Sequence, residues 1–263
     1  MNTPEPSFTM NVDAANPGQF FACCGLLELA HRLGLGAEGW FDIDGFHVLL
    51  PNGISESLER LMEMLHGTPL ASDDPDADEK TAPLRLRGGI DLRLDWWLDE
   101  TGGSALKTWA GQQSVLRIAA AMKEAMPREI ASGSVLDHGQ AVSEPGEPNK
   151  PVEPFYFDAR RFVHPLDTGF SLDAQDAETL AHPAVEFLSL IGLQRFRPAP
   201  SSAKWCFEYW TWSQPLSAPV AAGVACGAVP ISDRQGYCFR LRFRDDQKRY
   251  KAFSYATQIG GDA

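Results

Sequence analysis

The first quarter of the chain alternates between stretches with a two-residue apolar period and stretches with a helical one. Period-two runs favour half-buried strands, whereas apolar residues at every third or fourth position favour helices. A cap residue followed by a first-turn proline, Asn16-Pro17, marks the start of the first helix. The predicted elements are strand 7–13, helix 20–33, strands 39–44 and 46–50 around Gly45, and helix 55–66.

The first helix is apolar on almost every side, so it should be buried against a sheet, and Gly34 should end it. The order strand, helix, strand, strand, helix matches the first five elements of a ferredoxin-like or RRM-like domain. A sixth element at 84–97 is interrupted by Gly88-Gly89 and is either one bulged strand or a hairpin. We therefore predict an α+β protein with an RRM-like, ferredoxin-like core and an antiparallel sheet.

The rest of the chain predicts large helical and loop insertions followed by C-terminal strands. We expect residues 1–263 to form a single elaborated domain, with the RRM-like opening at about 7–97 and the insertions and strands over 98–263. The small-residue segment 215–230 fits either a clamp loop or a buried strand. The other predicted elements are helix 106–126, a proline-rich loop at 144–154, strand 155–162, helix 182–196, and strands 205–212, 237–244 and 250–257.

Charge is distributed unevenly along the chain. The formal charge of -12 argues against unassisted, nonspecific binding to nucleic acid, which needs a supply of Lys and Arg on the contacting face. Segment 71–79 holds five acids, whereas segment 237–251 holds six Lys or Arg against two Asp. We expect the acidic segment to be a solvated loop and the basic segment to leave a local basic surface.

The sequence also predicts the compartment. The start, MNTPEPSFTM, has no basic residues followed by an apolar run, and no segment is long and apolar enough for a membrane helix. Five cysteines, an odd number that includes the adjacent Cys23 and Cys24, favour reduced thiols over a disulfide framework. These features predict a cytoplasmic protein with no membrane association.

Three side chains on one face of the first helix are the best candidates for enzymatic chemistry. Cys24, Glu28 and His31 lie at i, i+4 and i+7, which suits a thiol nucleophile or part of a metal site. The alternative is that the cysteines are small core residues, since no CxxC or HxxxH spacing accompanies them. A thiol enzyme therefore stays open as an alternative to a non-catalytic role.

Two further patterns indicate other chemistry. The glycine pattern GxGxxG at 34–39 follows a helix and precedes a strand, the reverse of a dinucleotide site, and predicts a helix-ending turn. Asp42 with Asp44, and Asp91 with Asp95, could bind Mg²⁺ as in a nuclease, although nothing orients a third ligand. We expect no cofactor and no metal, with a metal-dependent nuclease as an alternative.

Basic, aromatic and amide residues mix at several places after residue 105. Lys and Arg can hold phosphates, Trp can stack on bases, and Gln can bond base or sugar edges. A cationic helix end that complements the helix dipole explains Arg195 and Arg197 equally well, and Trp109 could be a core residue. The candidate nucleic-acid-binding residues are Lys107, Trp109, Gln112, Gln113, Arg160, Arg161, Arg195, Arg197 and Lys204.

Four of these blocks together resemble the subtype-specific proteins of type I-U (now I-G) CRISPR systems. The blocks are VDAANPGQFFACCGLLELA at 12–30, LKTWAGQQ at 106–113, FYFDARR at 155–161, and PAVEFL with GLQRFRP within 183–198. They lie within a span of over half the chain. The first block is distinctive, and the other three are moderately so.

The resemblance implies a subunit of a CRISPR effector complex that is a diverged member of the RAMP superfamily, whose members are built on RRM-like folds. Such subunits grip guide RNA and each other and need no active site. The implied partners are other Cas proteins and CRISPR guide RNA, with target DNA as a further candidate. A pure protein-protein adaptor of the same system is the other alternative. The resemblance implies phosphate contact for Lys107, Arg160, Arg161, Arg195 and Arg197, and base stacking for Trp109.

Overall fold

The fold is described from a computed structural model of the chain, which shows mixed helices and antiparallel strands. It describes residues 4–50, 58–74, 76–78, 80–98, 105–109, 113–128, 134–161, 180–244 and 250–260. The helices are α1 (Pro17–Arg32), α2 (Leu58–Gly67), α3 (Val115–Glu124), α4 (Pro183–Gly192) and α5 (Ala218–Ala225), with 3-10 turns at Val135–Asp137 and Ala159–Arg161. The α+β class predicted from the sequence is confirmed.

Fourteen strands in this part of the chain form four antiparallel sheets. The first two sheets flank the central helices, with strand orders β1-β3-β2-β11 and β13-β12-β10-β9 and with β14 paired to β12. The smaller sheets are β4-β5-β6 and the hairpin β7-β8. The strands are β1 (Phe8–Met10), β2 (Glu38–Asp42), β3 (Gly45–Leu49), β4 (Leu70–Ser72), β5 (Leu84–Leu86), β6 (Leu92–Leu94), β7 (Ser143–Glu144), β8 (Glu147–Pro151), β9 (Ala199–Pro200), β10 (Cys206–Trp212), β11 (Leu216–Ser217), β12 (Arg234–Phe243), β13 (Lys251–Phe253) and β14 (Thr257–Gln258).

The centre of the molecule is the crossing of α1 and α4, where the two backbones touch. A Cβ atom at Gly25 would lie 2.0 Å from the carbonyl oxygen of Leu188, and one at Gly192 would lie 2.2 Å from that of Phe21. Only glycine permits this approach, because any side chain would overlap the opposing backbone. Almost every residue of α1 and α4 is buried, as the nearly continuous apolar character of both segments predicts.

The opening of the chain only partly follows a ferredoxin-like plan. The order β1-β3-β2, with α1 connecting β1 to β2, agrees with that plan. The strand after α2 does not return to this sheet, because β4 pairs with β5 in a separate sheet. The fourth position is instead occupied on the opposite edge by β11, from far along the chain. The RRM-like core is therefore not confirmed.

Four element predictions after residue 105 are wrong. The helix predicted at 106–126 begins only at Val115, because the Ser114 side chain caps it by accepting from the Arg117 N–H, and residues 105–109 are irregular. The loop at 144–154 contains the hairpin β7-β8, whose turn is made by Gly146 at φ +79°. The strand at 155–162 is absent over 155–161, where Tyr156 has φ +64° and a 3-10 turn follows. The segment 215–230 contains β11 and helix α5.

The hairpin alternative for 84–97 is confirmed, since β5 and β6 pair around Gly88. The acidic segment 71–79 is not only a solvated loop. It begins inside β4, and Asp73 forms ion pairs with Arg85 at 3.5 Å and with Arg93 at 3.2 Å. In the described part of the chain, no helix has the length and apolar character that crossing a bilayer requires.

Candidate nucleic-acid interface

Cationic and aromatic side chains lie close together at one end of the second sheet, where β12 ends and β13 begins. Trp205, just before β10, lies under two ammonium groups: Lys251 Nζ is 4.9 Å and Lys204 Nζ is 5.7 Å from its ring centroid. The Trp205 ring also meets the Phe243 ring edge-on at 5.8 Å. Lysines placed over the face of an indole are attracted to its negative quadrupole. The four residues therefore form one continuous surface.

Segment 105–109 lies alongside β13 and adds a third lysine. The Lys251 N–H donates to the Thr108 carbonyl at 3.2 Å, and Lys251 Nζ donates to the Ala105 carbonyl at 3.2 Å. Burial lowers the pKa of Lys107 and of Lys251, and the charge of Lys251 lowers the pKa of Lys107 further. Burial thus strips both ammonium groups of part of their water. An anion between them would relieve the repulsion.

The described carboxylates do not form ion pairs with these lysines. Among the described residues, no Asp or Glu lies within ion-pair distance of Lys107, Lys204 or Lys251. Asp78 acts on Lys107 only from farther away, where it raises the lysine pKa. Elsewhere the chain does pair its cations, as in Arg60 with Glu63 and Arg128 with Glu124. Among the described residues, the three lysines therefore have no carboxylate partner that would compete with an external anion.

A second aromatic group continues this surface beyond Phe243. Arg244 lies with its guanidinium carbon 3.4 Å from the Tyr156 ring centroid and 5.2 Å from that of Tyr250. Arg161 approaches the same Tyr156 ring at 5.0 Å. Burial raises the pKa of Tyr156, so its hydroxyl stays protonated and hydrogen-bonds to the Glu153 carboxylate. We name Lys107, Lys204, Trp205, Arg244, Tyr250 and Lys251 the basic-aromatic cluster.

The sequence prediction found part of this cluster. Lys107 belongs to it through its electrostatic interaction with Lys251, and Lys204 through the ring that it shares with Lys251. Trp205, Lys251, Arg244 and Tyr250 were not singled out. The signal was present in the basic segment 237–251, whose two arms converge as β12 and β13. Which of its residues would face Lys107 could not be inferred, because that depends on the contact between β13 and segment 105–109.

The resemblance implies base stacking for Trp109, but the structure buries this ring. It is 4% exposed and packs against Trp97 at 5.4 Å and Phe155 at 5.1 Å, with its Nε1 donating to the Lys80 carbonyl. Stacking on a base would require the ring to leave this core. Gln112 lies outside the described residues, and Gln113 is half-buried.

Arg160 and Arg161 are engaged by acidic side chains of the same chain. Arg160 bonds Asp158 at 2.8 Å and Asp137 at 2.9 Å, and Arg161 bonds Glu153 at 3.0 Å. Arg161 is only 6% exposed. These contacts make both arginines structural in the free protein, and a phosphate would have to compete with the carboxylates that hold them.

Arg195 and Arg197 have different surroundings. Arg195 bonds the buried carboxylate of Glu28, which also receives a bond from Arg32 at 2.7 Å. This arrangement ties the end of α4 to the end of α1. Arg197 is exposed.

The thiol-enzyme candidates are also accounted for by packing. Cys24 is fully buried at the centre of α1, and burial raises its pKa well above the usual value, which disfavours the nucleophilic thiolate. Glu28 is held by the two arginines, and only His31 is partly exposed. The three residues share a helix face, but two of them face the core.

The glycine pattern at 34–39 and the two aspartate pairs are explained by local structure. Gly34 and Gly36 adopt φ +72° and +64° directly after α1, which confirms the helix-ending turn predicted for 34–39. Asp42 lies 2.6 Å from His47, and Asp91 bonds Arg85 at 2.8 Å. Across the residues that the structure describes, no group of three or more His, Cys, Asp or Glu side chains could hold a metal ion.

A buried polar centre beneath α1 and α4 was not predicted. Asp158 accepts from Asn16 Nδ2 at 2.7 Å and lies 2.8 Å from His182 Nδ1, so it contacts the residues that precede both helices. Burial opposes its ionisation, but His182, Arg160 and Asn16 outweigh that and hold the pKa of Asp158 below its usual range. Neighbouring Glu186 accepts from the N–H groups of residues 157 and 158, and burial raises its pKa to about 7.

Comparison of the chain with protein-family models, curated proteins and solved structures gave no match. The site is therefore interpreted from its own geometry.

Proposed function

We propose that this chain is a non-catalytic subunit of a type I CRISPR effector complex in the cytoplasm, where it contacts guide RNA and neighbouring Cas subunits. The basic-aromatic cluster is the observation that carries the proposal. It brings together cations and aromatic rings from three separated parts of the chain, and its lysines have no acidic partner among the described residues. The assignment to a CRISPR system rests on the resemblance of the four sequence blocks to CRISPR proteins.

The charge of the chain restricts how such a subunit could bind. A net charge of -12 repels nucleic acid from most directions, so contact must be confined to the surface where cations are concentrated. One basic surface on an otherwise acidic protein suits a subunit that meets RNA on one side and protein on others. The same charge disfavours coating of RNA by many copies of the free chain.

The proposal is tested by purifying a tagged copy expressed together with its neighbouring CRISPR proteins and array transcript. Bound proteins are identified by mass spectrometry and bound RNA by sequencing, after washing in moderate salt. Cas subunits with processed guide RNA are expected. Recovery of the tagged chain alone would overturn the proposal, and recovery of Cas proteins without an RNA crosslink to this chain would favour the adaptor.

Charge-reversal variants test whether the basic-aromatic cluster contacts the RNA. Lys107→Glu with Lys251→Glu should reduce the RNA crosslinked to this chain at least tenfold, because two cations become repulsive charges beside the phosphates. Arg60→Glu with Arg128→Glu is the matched control, since these arginines are 55% and 68% exposed and lie outside the cluster. Equal loss in both variants would mean that only the total charge matters, and the cluster would lose its role.

A further inference from the structure

We infer that the basic-aromatic cluster contains a site for one unpaired nucleotide of single-stranded RNA, with the base stacked on Trp205 and its phosphate between Lys107 and Lys251. This inference rests on the proposed function and sharpens it. The assignment moves base stacking from Trp109, which is enclosed by other aromatic rings, to a tryptophan that solvent reaches.

The backbone holds Trp205 in an unusual conformation. Its φ is +63°, in the left-handed region that bulky residues rarely occupy. The conformation is fixed from both sides, since the Trp205 carbonyl accepts from the Leu241 N–H at 2.9 Å and the Cys206 N–H donates to the Ala203 carbonyl at 3.1 Å. The ring is therefore presented in a defined position, as a stacking platform requires.

Lys204 and Lys251 lie over this ring. The ammonium group of Lys107 lies 5.3 Å from the Trp109 centroid and interacts electrostatically with Lys251. Lys251 is anchored through its own amide to residue 108 and through Nζ to residue 105, so its ammonium group stays near Trp205 and Lys107. Two desolvated ammonium groups with lowered pKa favour binding of an anion, which restores the charge balance of the pair. Lys204 is exposed and can swing away from the ring to admit a base.

The geometry favours a single strand over a duplex. Stacking on an indole needs a base whose face is free, which only an unpaired nucleotide offers. A duplex would also bring many phosphates towards a protein of net charge -12, whereas one bound nucleotide places its phosphate directly at the lysines. A short single-stranded segment of RNA is the ligand that satisfies both conditions.

The test measures binding of an end-labelled decauridylate RNA to the purified full-length chain by fluorescence anisotropy. Trp205→Ala should weaken binding about 5- to 150-fold, the range for loss of one stacked base, and Trp205→Phe should keep most of the affinity. Trp210→Phe and Trp210→Ala are the matched controls. Trp210 is a half-buried tryptophan on β10 that also has a cation over its ring, Arg234 at 5.4 Å, but lies outside the cluster.

The lysines are tested by the salt dependence of the same binding. Lys107→Gln with Lys251→Gln should lower the slope of log affinity against log salt by about 0.7, the value for one phosphate of a single strand. Circular dichroism and urea unfolding identify any variant that fails to fold, in which case the Trp205→Phe and lysine variants decide. An unchanged affinity in Trp205→Ala, or equal losses at Trp205 and Trp210, would overturn the site.

Failure of this inference is distinguishable from failure of the proposed function. If the chain co-purifies with guide RNA but the free protein does not bind the oligonucleotide, the nucleotide site is wrong and the subunit role stands. If the chain neither co-purifies with Cas proteins and RNA nor binds the oligonucleotide, both are wrong. Equal binding of a duplex of the same length would reject the single-strand specificity.

Discussion

Glu186 is a carboxyl group buried between α4 and the turn at residues 157–158, and its replacement by Gln tests the electrostatics of the polar centre. Burial raises its pKa from 4.5 to about 7, and the negative charge of Asp158 raises it as well. Two backbone N–H groups and the more distant Arg161 lower the pKa but do not compensate. The folded protein therefore holds this side chain as a neutral acid in weakly acidic solution.

The sign of the effect follows from the raised pKa. Below pH 4.5 the carboxyl is protonated in both the folded and the unfolded chain, and the favourable contribution is fully present. As the pH rises towards about 7, the unfolded chain ionises first, so the free energy of unfolding falls. At about 1.4 kcal/mol for each pKa unit, the loss between these limits amounts to about 3 kcal/mol.

Urea unfolding followed by tryptophan fluorescence, repeated from pH 5 to pH 9, measures this loss. Gln keeps an oxygen that can accept from a backbone N–H and cannot ionise, so the stability of Glu186→Gln relative to wild type should rise by about 3 kcal/mol across the range. Taking the difference cancels the contributions of titrating groups that are common to both proteins. Glu63→Gln is the control, because that carboxyl is 70% exposed. Parallel curves for wild type and Glu186→Gln would refute the assignment.

The other predictions concern the α1–α4 crossing and the thiols. Gly192→Ala should lower the free energy of unfolding by at least about 3 kcal/mol, because its Cβ would lie 2.2 Å from a backbone oxygen of Phe21, and chemical denaturation checks this. Gly67→Ala, which meets nothing within 4 Å, should be neutral or slightly stabilising. In native protein, a disulfide reagent should modify Cys226 and Cys238 and leave the three buried cysteines unmodified until urea is added. Rapid modification of Cys24 would instead support the thiol-enzyme alternative.

Elements with local signals were predictable from the sequence. Helix α1 begins at the proline after Asn16, whose side chain accepts from the Gly18 N–H, and the β2-β3 hairpin turns at the expected glycine. The signal for α5 was also local, since Ser217 precedes an alanine and a first-turn proline, but its small residues matched a buried strand equally well. Short apolar segments do not distinguish a strand from a buried helix.

Features created by contacts between distant segments could not be predicted. Asn16 and Asp158 are 142 positions apart, and neither shows from its neighbours that it will be buried with the other. Trp109 and Trp205 are similar as sequence, each beside a lysine, yet one is enclosed by Trp97 and Phe155 and the other is half-exposed. The tertiary environment decides which tryptophan can meet a ligand, and a single sequence carries no record of it.

The carboxylate of Asp158 joins the starts of both central helices, and this has a consequence for synthesis on the ribosome. Helix α1 is among the first elements to emerge, but the acid that bonds its cap residue and the α4 segment that covers its buried face come more than 140 residues later. The edge strand β11 of the first sheet appears later still. We expect the nascent N-terminal segment to stay exposed to proteases until most of the chain has been translated, and to become protected in one late step.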